Sequence, residues 1–256
     1  MKHLIQCGLF ESIEYIESIC EKFGIENWTL NQDGSIDVDS DVDLRYKKLN
    51  KLPLKFRNVS GNFNCSFNNL TSLEGSPKSI GAGFFCYNNN LTSLEGSPKS
   101  VGDHFLCSYN KLTSLKGGPE YVGGDFDCSY NNITSLEGSP EYVDGDLYCN
   151  NNKLISLEGG PKYVGRNFFC YNNNLTSLEG SPEYVGGDFW CFNNKLISLE
   201  GGPKYVGRNF FCYNNNLTSL EGATESIRGQ FSCKNNPVYQ IWNLFEDKEK
   251  IEFFND

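Results

Sequence analysis

The chain is short of histidine, of basic charge and of long apolar runs. Its only histidines are His3 and His104, so neither a His-rich zinc site nor a catalytic triad has much to draw on. No stretch of about 18 apolar residues exists, and Met1 to Phe10 lacks the basic start and apolar core of a secretory signal. A membrane span and export are therefore disfavoured, and the cytoplasm is the expected location. Lys and Arg number 22 against 32 Asp and Glu, a formal charge of −10. Affinity for nucleic acid comes largely from cations, so nucleic-acid binding is not expected. The acid is concentrated at the ends: Met1 to Asp43 holds 10 acids and 2 bases, and Asn243 to Asp256 holds 5 and 2. The middle is neutral.

What the chain does have is a period. Nine cysteines, from Cys65 to Cys233, are each 21 residues apart. Numbered from each cysteine, position −2 is Phe, or Leu147 in one copy, and position +3 is always Asn. Positions +5 and +8 are apolar, as in Leu70 and Leu73, and +15 is Ile or Val from Ile80 to Ile227. Position +10 is Gly until the array ends, and +12 is Pro from Pro77 to Pro203. An earlier, degenerate rung places Val42 and Leu44 in the Phe and Cys columns, which makes ten. Asn151 to Gly180 and Asn193 to Gly222 are identical over 30 residues, a duplicated two-repeat block.

F-x-C is an alternation of two, which sends Phe and Cys to one face of a short strand. The Gly and Pro that follow forbid a helical return, so the rest of each unit is turn or extended backbone. One repeat cannot bury a core alone, but rungs stacked about 4.8 Å apart share one beneath a continuous parallel sheet. The Asn at +3 both donates and accepts, so the stack predicts an asparagine ladder satisfying backbone groups of adjacent turns.

The pattern F-x-C-x-x-N-x-L-x-x-L resembles the L-x-L-x-x-N-x-L core of leucine-rich repeats, from Asp43 to about Trp242. The tail L-E-G-S-P-K-S-V is similar to the short bacterial type, and C-S-Y-N-x-L-T-S-L-E-G-x-P to repeat proteins of tailed bacteriophages and some bacteria. The flanks I-D-V-D-S-D-V-D-L-R-Y-K-K-L-N-K-L-P and N-P-V-Y-Q-I-W-N-L-F are similar to that family too. The resemblance implies a solenoid with a parallel sheet on its concave face and a coil or turn convex side. It also implies binding of macromolecules, no catalytic residues, and the cytoplasm of a bacterium or infected bacterial host; in a phage, the partner would be a host factor, for example a defence or regulatory protein.

Solenoid ends need caps. Phe10 to Phe23 places Ile13, Ile16, Cys20 and Phe23 at helical spacing before Gly24, and Trp28 to Val38 turns at Asp33-Gly34 as a hairpin. Residues 1–40 are thus read as an N-terminal cap and 41–236 as the solenoid. Residues 237–256 are read as a helical C-terminal cap, in which Tyr239 to Phe254 buries Ile241, Trp242, Leu244 and Phe245. The spacing of 21 is wrong for zinc, and nine cysteines in one column cannot all pair, so reduced buried thiols are expected and no metal or cofactor. Asp37, Asp39, Asp41 and Asp43 alternate like a calcium loop, but Val42 and Lys48 stand where Gly and Glu belong, and protection of the sheet edge accounts for them. His104 has no nucleophile to serve, and no enzyme is expected.

The repeat frame says which residues face outward beside the F-x-C strand. Phe85, Leu106, Asp127, Tyr148, Phe169, Trp190 and Phe211 stand at −1. Tyr87, Tyr171, Phe192 and Tyr213 stand at +1, with Tyr109 at +2 and Asp188 at −3. These are the candidate partner-binding residues. An aromatic floor with Asp125, Asp127, Asp146 and Asp188 beside it suits a protein segment carrying apolar and basic groups. Cross-strand stacking that merely stabilises the ladder would use the same rings. Binding of a glycan or small planar ligand, or mimicry of nucleic acid, are the competing functions. The Tyr column at +14, Tyr121 to Tyr205, is expected to pack on the preceding turn.

Overall fold

The structure is a computed structural model that describes residues 2–242 apart from residue 225, with side chains described over 13–240 apart from the same residue. Its body is a stack of rungs, each one repeat long. The F-x-C positions pair in register from Val42–Asp43 to Phe231–Ser232 and make a parallel sheet of ten strands. The ten rungs of the sequence period are therefore ten strands of one sheet.

One strand per repeat was the sequence expectation, and the structure has two. Residues at +14 and +15, such as Tyr121–Val122, pair with their equivalents in adjacent rungs and form a second parallel sheet. Three residues, Gly123 to Asp125 in that rung, turn the chain from one sheet to the other. The side expected to be coil is thus partly sheet. A pair of residues is too short to show alternation, but β-branched and aromatic residues held between Pro and Gly suit extended backbone.

The core lies between the sheets. Phe at −2, Cys, Leu at +5 and +8 and Val at +15 are fully buried in the central rungs, forming one cluster along the whole stack. The −2 rings follow one another at 4.9–5.7 Å, interrupted at Leu147. Burial pushes the thiols well above their usual range, to about 12 for Cys65. They act as small apolar side chains.

The asparagine ladder is present in nine rungs. In one, Asn131 Nδ2 donates to Cys107 O, Cys128 O and Ser129 O, each at 3.1 Å, while Oδ1 accepts from Leu112 N at 3.0 Å. Asn68 does the same against the degenerate rung, donating to Leu44 O at 2.8 Å, which places Leu44 in the cysteine column. The invariant Gly at +10 has φ between 77° and 92°, and a Cβ at Gly180 would lie 2.4 Å from the backbone of the rung before it. Only glycine meets both demands.

The N-terminal helix α1 spans Lys2–Phe23, longer than the expected Phe10 start. Ile16 and Cys20 are buried in the common core while Glu14, Glu17 and Glu21 face out. It ends at Gly24, φ 66°, with Ile25 N donating to Cys20 O at 2.8 Å, a left-handed cap. Strands β1 (Trp28–Leu30) and β2 (Ile36–Val38) form the expected hairpin and start the second sheet. The described part of the C-terminal helix is α2, Pro237–Trp242, where Val238 and Tyr239 pack on the core. Its expected continuation to Phe254 and the burial of Ile241, Trp242, Leu244 and Phe245 lie outside the described residues or side chains.

Replacing Asn131 by Leu strands the buried amide of Leu112, at about 1–3 kcal/mol, and takes one of two donors from each of Cys107 O, Cys128 O and Ser129 O, which keep Asn110, Asn152 and Tyr109 N. Urea unfolding should show a loss of at least about 1 kcal/mol, or a split into two transitions as the stack is divided. Asn132→Ser, beside it and half-buried, should leave the midpoint near wild type. A wild-type midpoint for Asn131→Leu would contradict the ladder. The thiols from Cys65 to Cys212 should resist a thiol reagent in the native protein at pH 8 and react on unfolding; fast native labelling would contradict their burial.

Candidate partner-binding face

The outward face of the F-x-C sheet is set by the alternation that buries Phe and Cys. In the C-terminal half its −1 and +1 columns carry seven rings that touch one another. At +1, Tyr171, Phe192 and Tyr213 stack nearly parallel at 4.6 and 4.4 Å. At −1, Tyr148 stacks on Phe169 at 4.6 Å, while Trp190 meets Phe169 and Phe211 edge to face at 5.5 and 5.2 Å. Trp190 lies 5.7 Å from Phe192 and 6.4 Å from Tyr171, which joins the two columns. All seven are half-buried. Burial raises the Tyr171 and Tyr213 phenols, so both stay protonated hydroxyl donors at neutral pH. The indole Nε1 of Trp190 is buried with no acceptor.

Six other predicted residues stand apart from this cluster. Phe85 and Tyr87 belong to a rung separated from it by those of Leu106 and Asp127, and Tyr87 meets Phe67 at 5.2 Å. Tyr109 projects from +2 and stacks on Tyr130 at 4.3 Å. Asp127 accepts the N–H and O–H of Ser129 at 2.9 and 2.6 Å, and Asp188 accepts Asn209 N and Nδ2, each at 2.9 Å.

Asp188 belongs to a column the sequence reading missed as structure. At −3, each side-chain acceptor takes the backbone N–H of the next rung's −3 residue: Asp125 from Asp146 at 2.8 Å, Asp146 from Asn167 at 2.8 Å, Asn167 from Asp188 at 2.8 Å. His104 joins it, its Nδ1 accepting Asp125 N at 2.9 Å. The column pairs corner amides that have no strand partner, which is why Asp, Asn and His recur there. The N-terminal acids are engaged in the same way. Asp37 bonds Arg57 and Asn58, Asp39 accepts Ser60 Oγ at 2.8 Å, and Asp41 accepts Asn62 N at 2.6 Å. Among the described residues no group of three His, Cys, Asp or Glu converges as a metal site would.

A second missed feature lies at +2. Every rung holds this residue at φ 52–57°, in the left-handed region where Asn is the least strained choice after Gly. From Asn151 to Asn235 the five +2 amides bond one another at 2.8–3.0 Å, an exposed ladder along one border of the rings. The doubled Asn of C-x-N-N was its sequence signal. The Tyr column at +14 also differs from expectation. Tyr163, Tyr184 and Tyr205 stack on each other across rungs at 5.1 and 4.8 Å, and Tyr163 and Tyr184 stay more than a third exposed.

No family model matches the chain, and no curated protein matches it. Among solved structures it is similar to YopM from Yersinia enterocolitica WA-314, at a TM-score of 0.53 and 21% identity, over 77% of this chain and 47% of that one. The chain therefore spans about half the length of that relative. At this identity the likeness is one of fold, and with the 21-residue parallel stack it makes the chain a solenoid of leucine-rich-repeat type.

Proposed function

We propose that the chain is a non-enzymatic scaffold that captures a partner protein on the seven-ring face from Tyr148 to Tyr213. One observation carries this reading. The same sheet, in the same register, is built in other rungs with Asn64, Asp127 or Ser232 at −1 and Ser66, Ser108 or Ser129 at +1. The fold does not demand rings there, yet four adjacent rungs supply them. Ring pairs contribute about 0.5–1.5 kcal/mol each to stability. That gain is modest beside the liability of a contiguous apolar surface, which in soluble proteins marks an interaction site. Trp and Tyr in half-desolvated clusters are also the residues that dominate binding energy. The repeat's resemblance to phage proteins extends the reading to a host protein blocked by occupancy, an extension that rests on sequence alone.

Asp and Ser occupy −1 in natural rungs, so the double variant Trp190→Asp, Phe169→Asp should fold and unfold cooperatively, with a stability loss of about 1–3 kcal/mol. Used as bait beside wild type in lysate of the source cell or its host, it should lose a stoichiometric partner protein that wild type retains, with affinity down at least about 100-fold. Equal capture by both would place binding elsewhere.

A further inference from the structure

The charges around the rings differ from those the sequence frame emphasised. Arg166 and Arg208 precede Phe169 and Phe211 by three residues, and stack in one column with Gly187 and Gly229. On the other border Lys153 and Lys195 follow Asn150 and Phe192 by three residues, beyond the exposed amide ladder. Lys234 continues the +1 column directly after Tyr213. All five are exposed, and none has an ion-pair partner among the described residues. Some cations on other columns do: Lys116, Lys162 and Lys204 meet Glu137, Glu141 and Glu183 at 3.1, 2.6 and 3.3 Å.

The carboxylates of the face are in the opposite position. Asp146 accepts Asn167 N and Nδ2 on Oδ1 at 2.8 and 2.9 Å, and the Tyr148 hydroxyl on Oδ2 at 2.9 Å. Asp127 and Asp188 are engaged as described above. These carboxylates keep their charge but are held by neutral donors of the scaffold, Asp127 within its own rung and Asp146 and Asp188 across to the next, while the five cations project with no ion pair among the described residues. At the C-terminal end, Lys234 lines an open hollow of about 590 Å³ with Phe211, Tyr213, Ser232 and Asn235. An ammonium beside ring faces and amide groups suits a carboxylate carried on an apolar segment.

We propose that the aromatic face takes an acidic segment of its partner protein, with apolar side chains on the rings and carboxylates on Arg166, Arg208, Lys195 and Lys234. This rests on the reading of the face as the binding site, and it reverses the basic partner that the Asp positions alone implied. In a chain of net charge −10, a local row of unpaired cations steers an acidic segment to this face and away from the acidic ends.

The test uses three fluorescein-labelled dodecapeptides in which every fourth residue is Phe and the others are Glu, Lys or Ser. Each is titrated by fluorescence anisotropy against the full chain, the Trp190→Asp, Phe169→Asp double variant and an Arg166→Glu, Lys195→Glu, Arg208→Glu triple variant. Wild type should bind the Glu peptide at least about tenfold tighter than the Lys peptide, less so as salt rises. The triple variant, folded by the same criterion of cooperative unfolding, should invert that order. A Lys peptide bound as tightly as the Glu peptide by wild type, or an order unchanged in the triple variant while the double variant loses binding, would overturn the acidic partner alone. Full binding by the double variant, or no binding of any peptide at about 1 mM, would reject the aromatic face itself and the proposal with it. Self-association abolished by the double variant, with no peptide bound, would assign the face to a second copy and overturn the proposal as well.

Discussion

Where the chain turns out of each F-x-C strand, the cysteine carbonyl is taken by two asparagine amides, that of its own rung and that of the next, as Cys128 O is by Asn131 and Asn152. Each such amide satisfies backbone groups of two rungs, as Asn131 does for Cys107, Cys128, Ser129 and Leu112. Because it spans two rungs, it works only if every rung repeats the last in length and register. The other invariant features follow. Gly at +10 lets the backbone pass within contact of its neighbour, and Phe, Cys and Leu fill a core with the same shape in each layer. The period of 21 is the length of chain that returns the next asparagine to the same place.

With the interior fixed this way, the outward columns are free to vary, and they divide by task. Position −3 is an acceptor column that pairs corner amides, and it tolerates Asp, Asn or His because each can accept. Position +2 is a left-handed column that Asn occupies cheaply and that Tyr46, Phe67, Tyr109 and Tyr130 occupy with strain, offset in stacked pairs at 4.4 and 4.3 Å. Position −1 does such work only in some rungs, where Asn64 and Asp127 accept the N–H of Ser66 and Ser129, and in the other rungs the rings gather at −1 and +1. Scaffold and proposed site thus draw on different residues of the same strand.

The rung count, the buried columns, the asparagine ladder and the hairpin at Asp33-Gly34 were legible in the sequence, because each repeats at fixed spacing or follows a turn rule. The second sheet was not, since two residues such as Tyr121–Val122 carry no alternation. Nor was the −3 column, where Asp125, Asp146 and Asp188 look like a surface charge pattern until their backbone donors are seen. The seven rings could be placed on one face from the frame alone. That Phe85, Tyr87 and Tyr109 stand outside their cluster could not, because contact depends on the side chains of intervening rungs.

The account's central claim is that register builds the fold and the rings only occupy it. Deleting residues 151–192 removes two whole periods and joins Asn150 to Asn193, whose sequence matches that of Asn151. It also removes Phe169, Tyr171, Trp190 and Phe192. Deleting 151–191 instead shifts every later rung by one residue. Circular dichroism with urea unfolding of the two shortened chains is the most direct measurement. The two-period deletion is predicted to keep a cooperative, β-rich fold with a reduced m-value, while the shifted one loses it. Equal stability of the two would contradict the register, and collapse of the two-period deletion would show that the rings hold the solenoid together.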